Sequence, residues 1–409
     1  MNGNHNMVQK PKDEENYIDD EDEEVEEEES NDSSSNKSLI NSDVKQKMIK
    51  LMVIIICVTF VLLFILFILS LFTKKSYTYT DVEKIMKDAA ISYFADYPDY
   101  LPTQEGSIVE VDVANLVAAE KMKDLSTYLG NDTSCGGVVQ VQRVGNDFLY
   151  VPYLNCGDNY LTQELYKKVI SEDVVTSGDG LYSVGNSYVF RGENVDNYVK
   201  LDNSLWRIVK VSSDGSMALI HADGIIYTKP WDDRYNEDQL FEAGINQYSV
   251  SRIKDYLDKI YKNPSKEDGE DILSDKDKAR LVSYNLCIGK RSEKSEGKNN
   301  SEECMQVLKG QYLGLLTLSD YLYASLDTSC RSAETKSCKN YNYLVIREEW
   351  WLATADKDDT YSVFKVNHSG QAEKDNANTY STVRPVIYLN SRVLYQSGEG
   401  TLEKPYKVK

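Results

Sequence analysis

Residues 51–72 run without a single charge, and Ile, Leu, Val and Phe dominate the stretch. As a helix rising 1.5 Å per residue, these 22 residues cover about 33 Å, enough for a hydrocarbon core of about 30 Å. A helix buried in a soluble domain carries a polar face, and this one has none. A cleaved signal peptide does not fit either. The run is too long, starts at residue 51, and leads into Ser70-Leu71-Phe72-Thr73-Lys74-Lys75 without a small-x-small site. Cys57 has no lipobox-like neighbours, so lipid attachment there is not expected. One uncleaved transmembrane anchor with basic flanks is expected over 45–75.

The rest of the chain has to be sorted to the two sides of that anchor. The 409 residues carry a net charge of −20, and residues 1–44 alone hold 15 acids against 3 lysines. Such a segment buries too little apolar surface to offset the entropy of ordering, so a disordered, solvated cytoplasmic tail is expected over 1–44. The acidity and the absence of a basic stripe argue against nucleic acid as a partner. Lysines flank the span almost evenly, with Lys37, Lys45, Lys47 and Lys50 before it and Lys74, Lys75, Lys84 and Lys87 after it. The positive-inside rule is therefore nearly balanced. Cysteine usage decides the orientation. Cys135, Cys156, Cys287, Cys304, Cys330 and Cys338 all follow the span, are even in number and form no CxxC pair. With only His5, His221 and His368 in the chain, no metal site and no cofactor are expected. An oxidising compartment fits residues 76–409, so the expected topology is a cytoplasmic N-terminus and an extracellular C-terminal part.

The fold expected beyond the anchor is α+β, in two parts. Residues 76–171 read as a small helix-plus-antiparallel-sheet domain. Thr80-Asp81-Val82-Glu83 reads as a capping box opening a helix to about residue 97, before Pro98. A strand at 108–111, a helix at 113–128, and a hairpin of strands 137–144 and 147–154 around Gly145-Asn146 follow. A third helix is expected at 163–171 with Thr162 as its cap. After a linker at 172–180, residues 181–409 read as a domain of short strands at 182–191, 198–201, 205–211 and 216–221. A helix capped by Ser249 is expected at 250–260, and an exposed charged insertion at 262–303. A strand at 313–318, a short helix capped by Ser319, and strands at 350–353, 361–366 and 383–389 complete it.

Two resemblances follow from these residues. The order anchor, helix, small sheet with two cysteines resembles the pilin-like juxtamembrane domains of Gram-positive surface proteins, although no prepilin-type Gly-Phe-Thr-x-x-Glu precedes the span. In 181–409, several pieces occur in order: Trp206-Arg207-Ile208-Val209, Asp214-Gly215-Ser216, Leu315-Leu316-Thr317-Leu318-Ser319, Trp350-Trp351-Leu352-Ala353, Val366-Asn367-His368-Ser369-Gly370, Val383-Arg384-Pro385-Val386-Ile387-Tyr388-Leu389 and Gly400-Thr401-Leu402-Glu403-Lys404-Pro405-Tyr406. This series resembles an uncharacterised domain of Gram-positive surface proteins. That domain is similar to the C-type-lectin-like fold of formylglycine-generating enzymes and retroelement-diversified variable proteins. The resemblance implies a mixed α+β scaffold whose surface loops bind varied ligands.

Candidate ligand-contacting residues are Trp350, Arg384 and Trp231. An aromatic platform from Trp206, Trp350 and Trp351 is set against a purely core role for these residues. Alternation along a strand would turn at most one of Trp350 and Trp351 inward. Arg384 reads better as half of a structural pair with Asp or Glu than as a carboxylate clamp, and His368 reads as a turn residue. No phosphate-binding Gly-rich loop and no Gly-x-Ser-x-Gly elbow occur.

The disulfides can be argued from register. Around a two-residue Gly145-Asn146 turn, Cys135 and Cys156 fall opposite each other at the open end of the ladder, within bonding distance. Elimination and short separation then suggest Cys330–Cys338 and Cys287–Cys304, pairings that could be exchanged between them. The leading functional expectation is a membrane-anchored extracellular binding or adhesion protein for a glycan, cell-wall polymer or protein. A structural component of an envelope or pilus-like assembly is the alternative. An enzyme of formylglycine-generating type is the distant one, because disulfide-bonded sulfurs are not available thiolates.

Overall fold

A computed structural model describes residues 42–72, 77–130, 135–225, 227–266 and 269–409. The disorder expected for the acidic tail falls on residues outside the described ones as far as Asn41. From Ser42 the chain is already helical, three residues into the segment read as tail. Helix α1, Ser42–Phe72, contains the apolar run, and Val44–Ile68 is long and apolar enough to cross a membrane. The chain divides into two compact units, Met1–Lys75 and Ser76–Lys409.

The second unit is mixed α+β and carries two hydrophobic cores. The first is built on α2, Tyr79–Asp96, whose Val82, Met86, Ala89, Ala90 and Phe94 recur at helical spacing and are all buried. This stripe packs on a sheet of β1 (Ile108–Asp112), β2 (Gly136–Val144) and β3 (Asp147–Asn155), in the order β1-β2-β3. The β2–β3 ladder runs without a slip from Val144↔Asp147 to Gly136↔Asn155. Cys135–Cys156 closes it one step further on, as the register predicts. Gly137 sits where α2 meets the sheet: a Cβ there would lie 2.5 Å from the Tyr153 carbonyl oxygen and 2.8 Å from Met86 Cε. The expected 113–128 helix is instead two pieces, α3 (Val113–Ala118) and α4 (Leu125–Leu129). Glu120 at φ 56° ends α3, with the Lys121 N–H on the Leu116 carbonyl and the Glu120 N–H on that of Val117.

Helix α5, Leu165–Asp173, departs from the division at 171, because its Leu165 and Val169 belong to the second core. Its expected cap, Thr162, instead donates to Glu83 and accepts the Leu154 N–H. Strands β4 (Gly180–Val184) and β5 (Ser187–Arg191) form a hairpin where one strand was expected. They join β6 (Tyr198–Lys200), β7 (Leu205–Val211) and β8 (Met217–His221) in the large sheet. The short β9 (Lys229–Pro230) and helix α6 (Arg252–Lys262) follow, α6 capped by Ser251 and not Ser249.

The region expected as an exposed insertion contributes to the interior. It contains α7 (Asp275–Lys278) and β10 (Tyr284–Cys287), the latter paired with β11 (Val307–Gln311). Ile272, Leu273, Leu281 and Leu286 join the core. Arg291 and Glu303 are buried beside them, with the guanidinium donating to the Ser295 and Gly297 carbonyls and to Ser319 Oγ. Helix α8 (Leu318–Ala324) is capped by Thr317. A separate sheet of β12 (Trp350–Ala355), β13 (Ser362–Val366) and β14 (Ala372–Asn376) adds Trp350, Val363 and Phe364 to the same core. After β15 (Tyr380–Ser381), β16 (Val386–Leu389) pairs with β8. Finally β17 (Tyr395–Ser397) pairs with β18 (Tyr406–Val408), which lies parallel to β6. Cys287–Cys304 and Cys330–Cys338 are bonded as first assigned, not in the exchanged form.

The two cores are joined by polar contacts. Lys409 Nζ lies 2.6 Å from both oxygens of buried Glu83 and 2.8 Å from the Tyr160 hydroxyl. Arg392 donates to the side-chain oxygens of Gln140 and Gln142.

Candidate functional site

All three candidate ligand-contacting residues, Trp231, Trp350 and Arg384, have 0% relative exposure. This corrects their assignment to a binding surface. Trp350 and Trp351 are both buried because β12 is covered on both faces, so strand alternation leaves neither of them in solvent. Among the described residues no carboxylate lies within ion-pair distance of Arg384. Its guanidinium donates to the carbonyls of His221, Leu344 and Ala222 and stacks 4.6 Å from the Trp350 ring. Burial, with Arg207 nearby, lowers its pKa to about 9. His221 accepts the Gly224 N–H at Nδ1, and burial with the Arg384 charge lowers its pKa to about 4. His368 lies in the turn between β13 and β14, as expected.

Trp231 and Trp351 anchor the base of a loop. Trp231 donates from Nε1 to the Leu352 carbonyl at 3.0 Å and meets Tyr248 edge-on, while Trp351 Nε1 reaches the Lys229 carbonyl. Three buried polar side chains then fix the backbone from 232 to 246. Asp232 accepts from the backbone N–H groups of Arg234, Ile245 and Arg252 and from the Arg234 guanidinium. Asn236 donates to the Gly244 and Thr360 carbonyls and accepts from the N–H groups of Asp238 and Gln239. Asn246 donates to the carbonyls of Asp356, Asp359 and Ser362, and its own oxygen accepts from Lys290. Gly244, at φ 85°, is obligatory: a Cβ there would sit 2.1 Å from the Asp232 carbonyl oxygen.

What this framework holds up is apolar. Tyr235, Leu240 and Phe241 are exposed, Leu240 at 77%. Leu240 is also held at φ 55°, a left-handed conformation that is costly for a bulky residue. Phe241 lies 6.5 Å from Tyr361, and exposed Tyr380 pairs with Pro230 at the loop's base. Asp233, Glu237, Asp238 and Glu242 are exposed around the tip, and Arg234 is turned back onto Asp232. The face is thus an apolar knob in an acidic collar, carried on a backbone hydrogen-bonded to Asp232 and Asn236.

Comparison with protein-family models, curated proteins and solved structures finds no match. Among the described residues no group of three or more His, Cys, Asp or Glu side chains is placed to hold a metal ion. Sequence reasoning missed Tyr235, Leu240 and Phe241 because an apolar pair in a polar stretch reads equally well as a fragment of core. The available signal was the density of Asp and Asn at 232, 236, 238 and 246, residues whose side chains build loops from their own backbone.

Proposed function

We propose that this chain is a single-span membrane protein whose C-terminal unit lies outside the cell and binds a protein partner through the 235–241 loop. The observation that carries the reading is Leu240. Burying a leucine stabilises and exposing it does not, and holding it left-handed adds a further cost. A scaffold of three buried polar side chains maintains both conditions, the pattern of strain kept at a recognition site. Leu240, the most exposed side chain of the tip, offers a sugar no ring face, and an apolar knob collared by carboxylates suits an apolar pocket rimmed by basic residues. The three disulfides support an oxidising location. They also tie up every sulfur that a formylglycine-type reaction would need, which favours binding over catalysis.

Photo-crosslinking tests the reading. A benzophenone side chain introduced in place of Leu240 of the full chain, on intact cells, should capture a discrete set of polypeptides. A probe in place of exposed Met305 should not. Adducts to wall polymer would replace the protein partner by a glycan, and equal labelling from both positions would sink the site.

A further inference from the structure

Beside the junction of the two cores lies a cleft of about 480 Å³. Its apolar wall comes from Val144, Leu149 and Pro152 of the β2–β3 hairpin and from Val393 and Leu394. Val144 and Leu149 are exposed there, although the strands that carry them, β2 and β3, bury Val139, Val141 and Leu154 in the first core. The side chains of Lys87, Arg280, Arg392 and Lys409 surround the cleft, against one lining side-chain carboxylate, Glu83. Lys409 neutralises Glu83, and Arg280 is paired with Asp277. Two cations are left over. Arg392 rests on two glutamine oxygens, which satisfy its N–H groups without cancelling its charge. Lys87 is exposed and has no ion pair among the described residues.

In a chain of net charge −20, a site with surplus positive charge is a local reversal of sign. Joined to an apolar wall, it selects for a molecule with one apolar and one anionic end. We propose that the cleft binds an anionic amphiphile. Its acyl chain would lie along Val144, Leu149, Pro152 and Leu394, and its carboxylate or phosphate head between Lys87 and Arg392. The volume lies within the range of small-molecule sites, about 300–1,000 Å³. The site is separate from the 235–241 loop, so either can fail without the other.

The test uses the full chain in phosphatidylcholine nanodiscs. One arm adds a diazirine-bearing palmitate, a second builds diazirine-bearing phosphatidylglycerol into the disc, and a third uses the same group on phosphatidylcholine. Labelled peptides are mapped by mass spectrometry. Adducts should concentrate at residues 142–152 and 390–394 with an anionic probe, and be about tenfold fewer with phosphatidylcholine. Labelling by palmitate alone would identify a free amphiphile, and labelling by phosphatidylglycerol a membrane lipid. Lys87→Glu touches no hydrogen bond described for the folded chain and should cut the labelling by a similar factor, while Arg392→Lys should retain most of it. Equal labelling by the zwitterionic probe, an unchanged yield in Lys87→Glu, or adducts confined to other peptides would overturn the proposal.

Discussion

Leu240 and His221 illustrate two ways in which a single side chain carries a standing cost. Leu240 is nearly free of packing and left-handed, so glycine in its place removes backbone strain while losing little contact. Leu240→Gly should therefore raise the melting temperature, with a gain of up to about 1 kcal/mol, while weakening partner capture. A fall in both would mean that the leucine is structural. His221 acts through protons. Its folded pKa of about 4 lies below the ordinary value of 6.5, so as the pH falls the unfolded chain protonates first. The stability is complete above about pH 6.5 and is lost as the pH drops toward 4, by about 3 kcal/mol in all. Asparagine at this position keeps an acceptor for the Gly224 N–H without a titrating ring. Denaturant titrations of His221→Asn should show a shallower loss between about pH 6.5 and 4.5 than the parent chain. Parallel curves would mean that the ring is not shielded.

At the scale of elements, the β2–β3 hairpin was legible because two signals agreed: the Gly-Asn turn, and cysteines equidistant from it. The same Gly-Asn dipeptide at 185–186 turns β4 into β5, with Gly185 at φ 59°, yet residues 182–191 read as one strand since no second signal marked the break. Helix caps show a different limit. Thr78 and Thr80 each have an acid three residues on, and the Thr80 box fails because Glu83 is drawn inward to Lys409, Tyr160 and Thr162. Ser319 fails as a cap for a parallel reason, its hydroxyl being bonded to Glu303 while Thr317 and Asp320 cap reciprocally. Capping motifs are local, and which one wins is decided by partners far along the chain. The Cys135–Cys156 bond closes a separation of 21 residues, for which chain entropy gives about 3 kcal/mol. A Cys135→Ser, Cys156→Ser double variant should lose about that much in urea unfolding. A near-zero change would place the constraint in the sheet itself.

For the whole molecule, hydropathy marked the one helix among the described residues that is long and apolar enough to cross a membrane, whereas the contacts that join the two cores were hidden in residues hundreds of positions apart. The proposed topology has a direct check. Protease added to intact cells should remove epitopes in 76–409 and spare a tag at the N-terminus, and loss of the tag would reverse the orientation. The pairing of β18 with β6 has its own implication. Tyr406 and Lys407 fill a position beside Val199 and Lys200, so the β6 edge of the large sheet stays uncovered until a segment some 200 residues downstream arrives. At synthesis rates of about 5–20 residues per second, that delay is about 10–40 s. Throughout it β6 offers an open edge, free to pair with whichever strand reaches it first.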